Sequence, residues 1–239
     1  MTDKPIVGVL CWEGGGTTPR GLDQLESLIG NSTNPKSYDF PVVFRRVPGA
    51  NIHTILEKPD YEVMKSMAEY ANRMVIEEGV RLIVTSCGFN AIFQKELSKR
   101  ISVPVATSSL IQIPFISSML NDSQQIAVIT ANKEHLTDIH FRNVGVTDMR
   151  NIIVFGMEEC PEWNKIFVAP DEDIDLNKVR EEVLNVATSA LETYSSIGSF
   201  VLECTDLPPF ANDIRKRTKL PIFDYFTMVR YLVSAIMNV

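Results

Sequence analysis

RLIVTSCGFNAIFQKELSKRISVPV, from Arg81 to Val105, and GSFVLECTDLPPFANDIRKRTKLPI, from Gly198 to Ile222, are one pattern written twice. A shift of 117 positions lays the first over the second with six of 25 residues identical: Val84 on Val201, Cys87 on Cys204, Phe93 on Phe210, Lys99 on Lys216, Arg100 on Arg217 and Pro104 on Pro221. Unrelated segments of ordinary composition share about one or two. Each copy begins with a short apolar run, Leu82 to Val84 or Phe200 to Leu202, after Gly79 or Gly198, and this marks a buried strand. The cysteine follows the run. Spaced apolar residues (Ile92, Phe93 and Leu97; Phe210 and Ile214) then predict a helix, closed by Lys99–Arg100 and Lys216–Arg217 at the negative end of its dipole. Pro104 and Pro221 open new apolar runs, where a further parallel strand begins.

Two equivalent units put two thiols in equivalent places, at the carboxyl end of a strand and near the start of a helix, where open α/β sheets bind ligands. A lone cysteine is more often core filler. A duplicated one, each time just outside its strand, points to function. Backbone N–H groups there are expected to favour the thiolate and lower the thiol pKa from about 8.5. Cys11, closing IVGVLCW, reads as packing, and Cys160, in EECPEW, as a loop thiol.

The rest of the chain alternates strand and helix. The first lobe opens with a strand over Ile6–Cys11, a loop carrying Gly14, Gly15 and Gly16, and a strand near Val42–Val47. A helix follows over about Asp60–Glu78, with Val63, Met64, Met67, Ala68, Ala71, Met74 and Val75 on one face. The second lobe restarts at IAVIT (Ile126–Thr130). It continues with a helix through His135 and His140, a strand over Asn151–Phe155, and a helix over about Leu176–Tyr194. A last helix, roughly Phe226–Met237, carries an apolar face back to the first lobe. This order predicts an α/β protein of two pseudosymmetric, Rossmann-like lobes with mainly parallel sheets and an active site in the cleft between them. Residues 1–112 and 223–239 form the first lobe, and 113–222 the second.

Composition bounds the function. The chain has 239 residues and a net charge of −7 without a long basic run, which argues against nucleic acid as a partner. No apolar stretch approaches the roughly 18 residues of a membrane span, and MTDKPIVGVL has a strand where a signal peptide would need a longer apolar segment, so a cytoplasmic location without membrane attachment is expected. Four cysteines without a CxxC pair and three histidines, none beside a cysteine, disfavour a metal site. His135 and His140, five apart, do not share a helix face. In a reducing compartment the thiols stay free.

Gly14–Gly16 lacks the third glycine of a dinucleotide motif, since Pro19 stands there, and no GK[ST] follows. With Thr17 and Thr18 it reads instead as a flexible active-site loop. Arg45 and Arg46, after PVVF, either turn toward an anionic substrate or end a strand in solvent. DEDID (Asp171–Asp175) reads as helix capping.

TSCGFN at Thr85 and LECTDLPPF at Leu202 resemble the two cysteine motifs of the aspartate/glutamate racemase superfamily. In the second, Glu203 stands in place of glycine and Asp206 in place of glutamate. DFPVVFRRVPGA (Asp39–Ala50) and the opening strand extend the resemblance over essentially the whole chain. It implies chemistry without PLP, metal or other cofactor, a small carboxylate as substrate, and often a homodimer. Cys87 and Cys204 would flank the substrate Cα, one as thiolate base and the other as thiol acid, exchanging roles between enantiomers. By resemblance Thr205 would bind the carboxylate, helped by N–H groups around Gly88 and Phe89. Ser86, Asn90, Trp12, Glu13 and Arg46 complete the expected surroundings. Many amino-acid racemases of the superfamily have Asn directly after the first cysteine, where this chain has Gly88 and Phe89; glutamate racemases have His where it has Asp206. Aspartate or glutamate thus becomes a weaker expectation, and Phe89 could meet a hydantoin or aryl substrate. A racemase or epimerase is the leading reading. Maleate-isomerase-like or decarboxylase-like chemistry on the same scaffold, or noncatalytic binding of a small carboxylate, stays open.

Overall fold

The computed structural model describes residues 4–14 and 18–237. Gly15, Gly16 and Thr17, central to the glycine loop, lie outside them. The chain runs β1 (Val7–Cys11), α1 (Arg20–Glu26), β2 (Val42–Arg46), α2 (Tyr61–Arg73), β3 (Leu82–Thr85), α3 (Gln94–Arg100) and β4 (Val105–Ala106) through the first sheet's half, and α4 (Ile113–Ser117) leads on to the second. The second runs β5 (Gln125–Thr130), α5 (Asp138–Asn143), β6 (Ile152–Gly156), α6 (Pro161–Val168), α7 (Leu176–Thr193), β7 (Ile197–Leu202), α8 (Ala211–Thr218) and β8 (Ile222–Phe223), before α9 (Tyr225–Ile236). Two parallel four-stranded sheets result, ordered β2-β1-β3-β4 and β6-β5-β7-β8. The sequence repeat is carried into their registers: Val84 pairs with Ala106 as Val201 pairs with Phe223, the same 117 positions on.

Both faces of the first sheet are covered, as a parallel sheet requires. Val7, Val9, Leu82 and Val84 point to one side, into a cluster with Tyr225, Phe226, Val229 and Val233 of α9. Each such side chain, moved wholly out of water, contributes about 1.5–3 kcal/mol. The side chain of Asp224 caps α9 by accepting from Thr227 N at 2.8 Å. On the other side, α2 buries Val63, Met64, Met67, Ala68 and Ala71. The turn of helix that continues from its end comes so close that a Cβ at Gly8 would stand 2.6 Å from Met74 Cε, with Ile83 Cδ1 of β3 at 2.9 Å. The second sheet buries Ile126, Ala127, Val128 and Ile129 in the same large core that takes the apolar face of α7 (Val179, Val183, Leu184, Ala187). Asp175 Oδ1 accepts from Asn177 N and Lys178 N, so the last acid of DEDID is the cap of α7.

Several local expectations change. His135 lies in a turn rather than a helix, because α5 starts only after Thr137, whose backbone N–H donates to His140 Nδ1 at 3.1 Å. Cys160 lies outside regular structure, as expected, in the extended residue just before α6, whose first position is Pro161. The helix after Cys87 opens as a 3-10 turn over Gly88–Phe93 before α3. Among the described residues no helix is long and apolar enough to cross a membrane.

Candidate active site

Each cysteine sits where its strand has just run out. Ser86 N still donates to Leu10 O at 2.9 Å and Glu203 N to Ile129 O at 2.8 Å, each prolonging the ladder by one residue. Past those bonds the chain turns: Cys87 is extended (φ −145°, ψ 123°) and caps the 3-10 turn, while Leu207 N closes back on Cys204 O at 3.2 Å. The two turns hold each other. The Thr205 hydroxyl donates to Ser86 O, and Glu203 lies against Gly88.

Both thiols line one cleft, with Ser86, Gly88, Phe89 and Thr205 from their own motifs and Trp12 from the end of β1. Its empty volume, counted out to the mouth, is ≈ 570 Å³. Three expected substrate contacts are placed elsewhere. Asn90 is buried but does not line the cleft. Glu13 lines a neighbouring cavity, and its carboxylate is held by Gly49 N at 2.8 Å and Asn51 Nδ2 at 2.9 Å. Arg46 stands behind the cleft, donating to Trp12 O at 3.2 Å and pairing with Glu26 at 3.5 Å.

The cleft also gathers residues that the motifs did not announce. Trp163, Ile166 and Phe167 arrive on α6, a helix not expected from the sequence, which predicts nothing between the strand ending at Phe155 and the helix from Leu176. Glu26, the last residue of α1, and Asp206 contribute carboxyl groups. Among the described residues no lysine or arginine lines this cleft, and the indole N–H groups of Trp12 and Trp163 have no hydrogen-bond partner.

Charge follows from this lining. The expected lowering of the thiol pKa does not occur: burial pushes Cys87 and Cys204 well above the ordinary thiol value. Glu203, then Asp206, adds to the shift at Cys87, and Asp206, then Glu203, at Cys204. The N–H groups of Phe89 and Asn90 at Cys87, and of Asp206 at Cys204, pull the other way and are outweighed. Desolvation explains the sign, because a short 3-10 turn offers too little dipole to offset removing an anion from water. Cys204 Sγ–H donates to Asp206 Oδ2 at 3.6 Å, and Asn31 Nδ2 donates to Asp206 Oδ1 at 2.6 Å. Burial raises Asp206 to about 7 and Glu203 to about 8.

A raised carboxyl pKa has a defined sign in stability. Native Asp206 keeps a proton that the unfolded chain, titrating near 3.9, has already lost. Its contribution is complete below about pH 4 and is lost as pH climbs through about 7. Thermal melts at intervals from pH 4 to 8 should therefore fall less steeply for Asp206→Asn than for the wild type. Parallel slopes would refute the assignment.

No known family model matches the chain. In sequence it is similar to a dimethylsulfoniopropionate lyase of Durusdinium sp. clade D, 29% identical over 216 residues that cover 88% of this chain and 71% of that one. Dimethylsulfoniopropionate lyase 3 of Emiliania huxleyi (strain CCMP1516) is 28% identical over 218 residues, 88% of this chain but 56% of the relative, so the chain spans little more than half of that protein. In structure it is similar to an allantoin racemase from Klebsiella pneumoniae, with TM-score 0.56, 15% identity and coverage of 98% and 89% of the two chains. A glutamate racemase isoform from Bacillus anthracis gives TM-score 0.55, 12% identity and coverage of 98% and 82%. An unliganded arylmalonate decarboxylase gives 0.51, 14%, and 95% and 91%.

Proposed function

The chain has the fold of the aspartate/glutamate racemase superfamily, and from that premise we propose that it is a lyase that removes the α-proton of a small carboxylate and expels a sulfonium group from the β-carbon. Dimethylsulfoniopropionate, the compound in the names of its sequence relatives, is the substrate of choice. One observation carries the reading: two acids, Glu26 and Asp206, and four aromatic side chains, Trp12, Phe89, Trp163 and Phe167, line the cleft of the thiols, and among the described residues no lysine or arginine joins that lining, Arg46 pairing with Glu26 from outside it. An aspartate or glutamate side chain would bring a second carboxylate against Asp206. A sulfonium is favoured there, since aromatic faces and nearby carboxylates both attract an alkylated cation.

The same charge addresses the thiols. Buried among acids they resist ionisation, and a bound cation a few ångströms away favours the thiolate. Cys204 is the better base, since Asp206 is already placed to accept its proton. The thiolate takes the proton from the carbon next to the carboxylate; that C–H pair becomes the carbon–carbon double bond, and the C–S pair leaves on sulfur. Acrylate and neutral dimethyl sulfide result, and the proton on Cys204 passes through Asp206 to water. The backbone N–H groups at the motif turns and the unpartnered indole N–H groups are donors for the carboxylate as charge develops on it.

A racemase or epimerase is the second reading, favoured by the equivalence of the two thiols under the repeat. The readings separate in one experiment. The purified protein is given dimethylsulfoniopropionate with headspace detection of dimethyl sulfide, and in parallel enantiopure amino acids and hydantoins in deuterium oxide. Equimolar dimethyl sulfide and acrylate are expected. Label entering Cα of an amino acid or hydantoin, with no sulfide released, would replace the lyase by the racemase.

A further inference from the structure

Glu203 is wholly buried, one residue before Cys204, where the resembling motif has glycine. The residue it packs against in the other motif is Gly88, where that superfamily often has asparagine. Small and large have changed places. A Cβ at position 88 would stand 2.2 Å from the backbone oxygen of Glu203 and 2.3 Å from its Oε1, so the main chain and the carboxyl of residue 203 together fill the room a side chain at 88 would need. Oε2 accepts from Thr130 Oγ1 at 2.8 Å, while Oε1 has no partner. The titratable groups facing this carboxyl are Asp206 on its own turn, and the thiols of Cys204 and Cys87, one from each lobe. No cation is among the charges that act on it. A carboxylate held by one hydroxyl amid other acids is a poor buried ion, whereas a neutral carboxyl is tolerated.

We propose that Glu203 is a positioning residue for the Cys87 thiol: a carboxyl wedged against Gly88 that lets Cys87 ionise while it holds its proton and suppresses the thiolate once the proton is gone. Burial first, and the charge of Asp206 after it, raise the Glu203 pKa to about 8, so the neutral form prevails at pH 7. After burial, Glu203 is the largest cause of the raised Cys87 pKa. The exchange of residues also removes a side chain at 88 from substrate recognition, in keeping with a substrate that is not an amino acid. The proposal goes beyond the lyase reading, in which Cys204 is the base, and its test follows a thiol and not turnover, so either can fail without the other.

The experiment alkylates the full chain with iodoacetamide from pH 6 to 10 and quantifies modified Cys87, Cys204 and Cys11 by peptide mass spectrometry. At pH 6 wild type and Glu203→Gln should agree within about twofold. At pH 9, where only the wild type carries the extra charge, Cys87 of Glu203→Gln should react about tenfold faster, a shift of about one pH unit. Cys11 should not change. Thr130→Val, which removes the one hydroxyl favouring the ionised carboxyl, should move the Cys87 profile in the same direction as Glu203→Gln, and it serves if that variant folds poorly. Unchanged Cys87 profiles in both variants, or an equal acceleration at Cys11, would overturn the proposal.

Discussion

Cys204→Ala is expected to lower kcat for dimethyl sulfide release by about 10²–10⁴-fold, the range associated with losing a positioned general base. Elimination needs one base and no returning acid, so the two thiols should not be equal in this assay. Cys87→Ala should cost substantially less, whereas a racemase, which must use both faces of one carbon, would lose its two-way exchange with either substitution. Asp206→Asn belongs between them. It keeps the hydrogen bond acceptor beside Cys204 Sγ but not the negative charge that takes the proton, so kcat should fall more than KM rises. Steady-state kinetics on the three variants, with folding checked by circular dichroism, decides the matter. Equal losses at Cys87 and Cys204 would count against Cys204 as sole base.

Trp163→Ala is expected to destabilise the protein by about 3–5 kcal/mol, the ordinary consequence of emptying a buried aromatic position. Trp163 is 1% exposed on α6, packs in the main core, and lines the cleft. For a chain of this size each kcal/mol lowers Tm by about 2–4 °C, so a drop of about 6–20 °C should appear in a thermal melt. Trp163→Phe keeps an apolar ring and should recover most of the stability. It loses the indole N–H and the stronger of the two π-faces for a cation, so its KM should rise several-fold with Tm nearly restored. A Phe variant with unchanged KM would remove Trp163 from sulfonium or carboxylate recognition and leave it a packing residue.

The parts of this molecule legible in the sequence are those fixed by short-range pattern. Leu82–Val84 and Phe200–Leu202 read as strands because buried parallel strands are continuously apolar, and the same offset set the cysteines at matching strand ends. Met64, Met67, Ala68 and Ala71 declared one face of α2 for a similar reason. What escaped depends on burial by residues distant in the chain. The thiol pKa was expected to fall on the strength of local N–H groups, yet it rises, because walls from several elements bury both thiols and the second motif's Glu203 and Asp206 act on Cys87 from the other half of the chain. Trp163 and Glu26 entered the cleft unannounced, since nothing near them in sequence refers to either cysteine. Substrate class was least legible. The departures at Gly88, Phe89 and Asp206 weakened an acidic amino acid, but only the assembled lining brings Glu26 and Asp206 to the thiols, with no lysine or arginine beside them in it among the described residues.

The end of α1 is tied to the opposite lobe. Gln24 Nε2 donates to Ile174 O at 3.1 Å, Ile174 N returns the bond to Gln24 Oε1 at 2.7 Å, and Asn31 holds Asp206. The bonds that tie this helix to the second sheet's half and the bond that holds the proton acceptor thus belong to one short stretch of chain, from Gln24 to Asn31. Loosening Gln24 should therefore reach Asp206 through Asn31, so a substitution far from the thiols would shift the catalytic pH optimum.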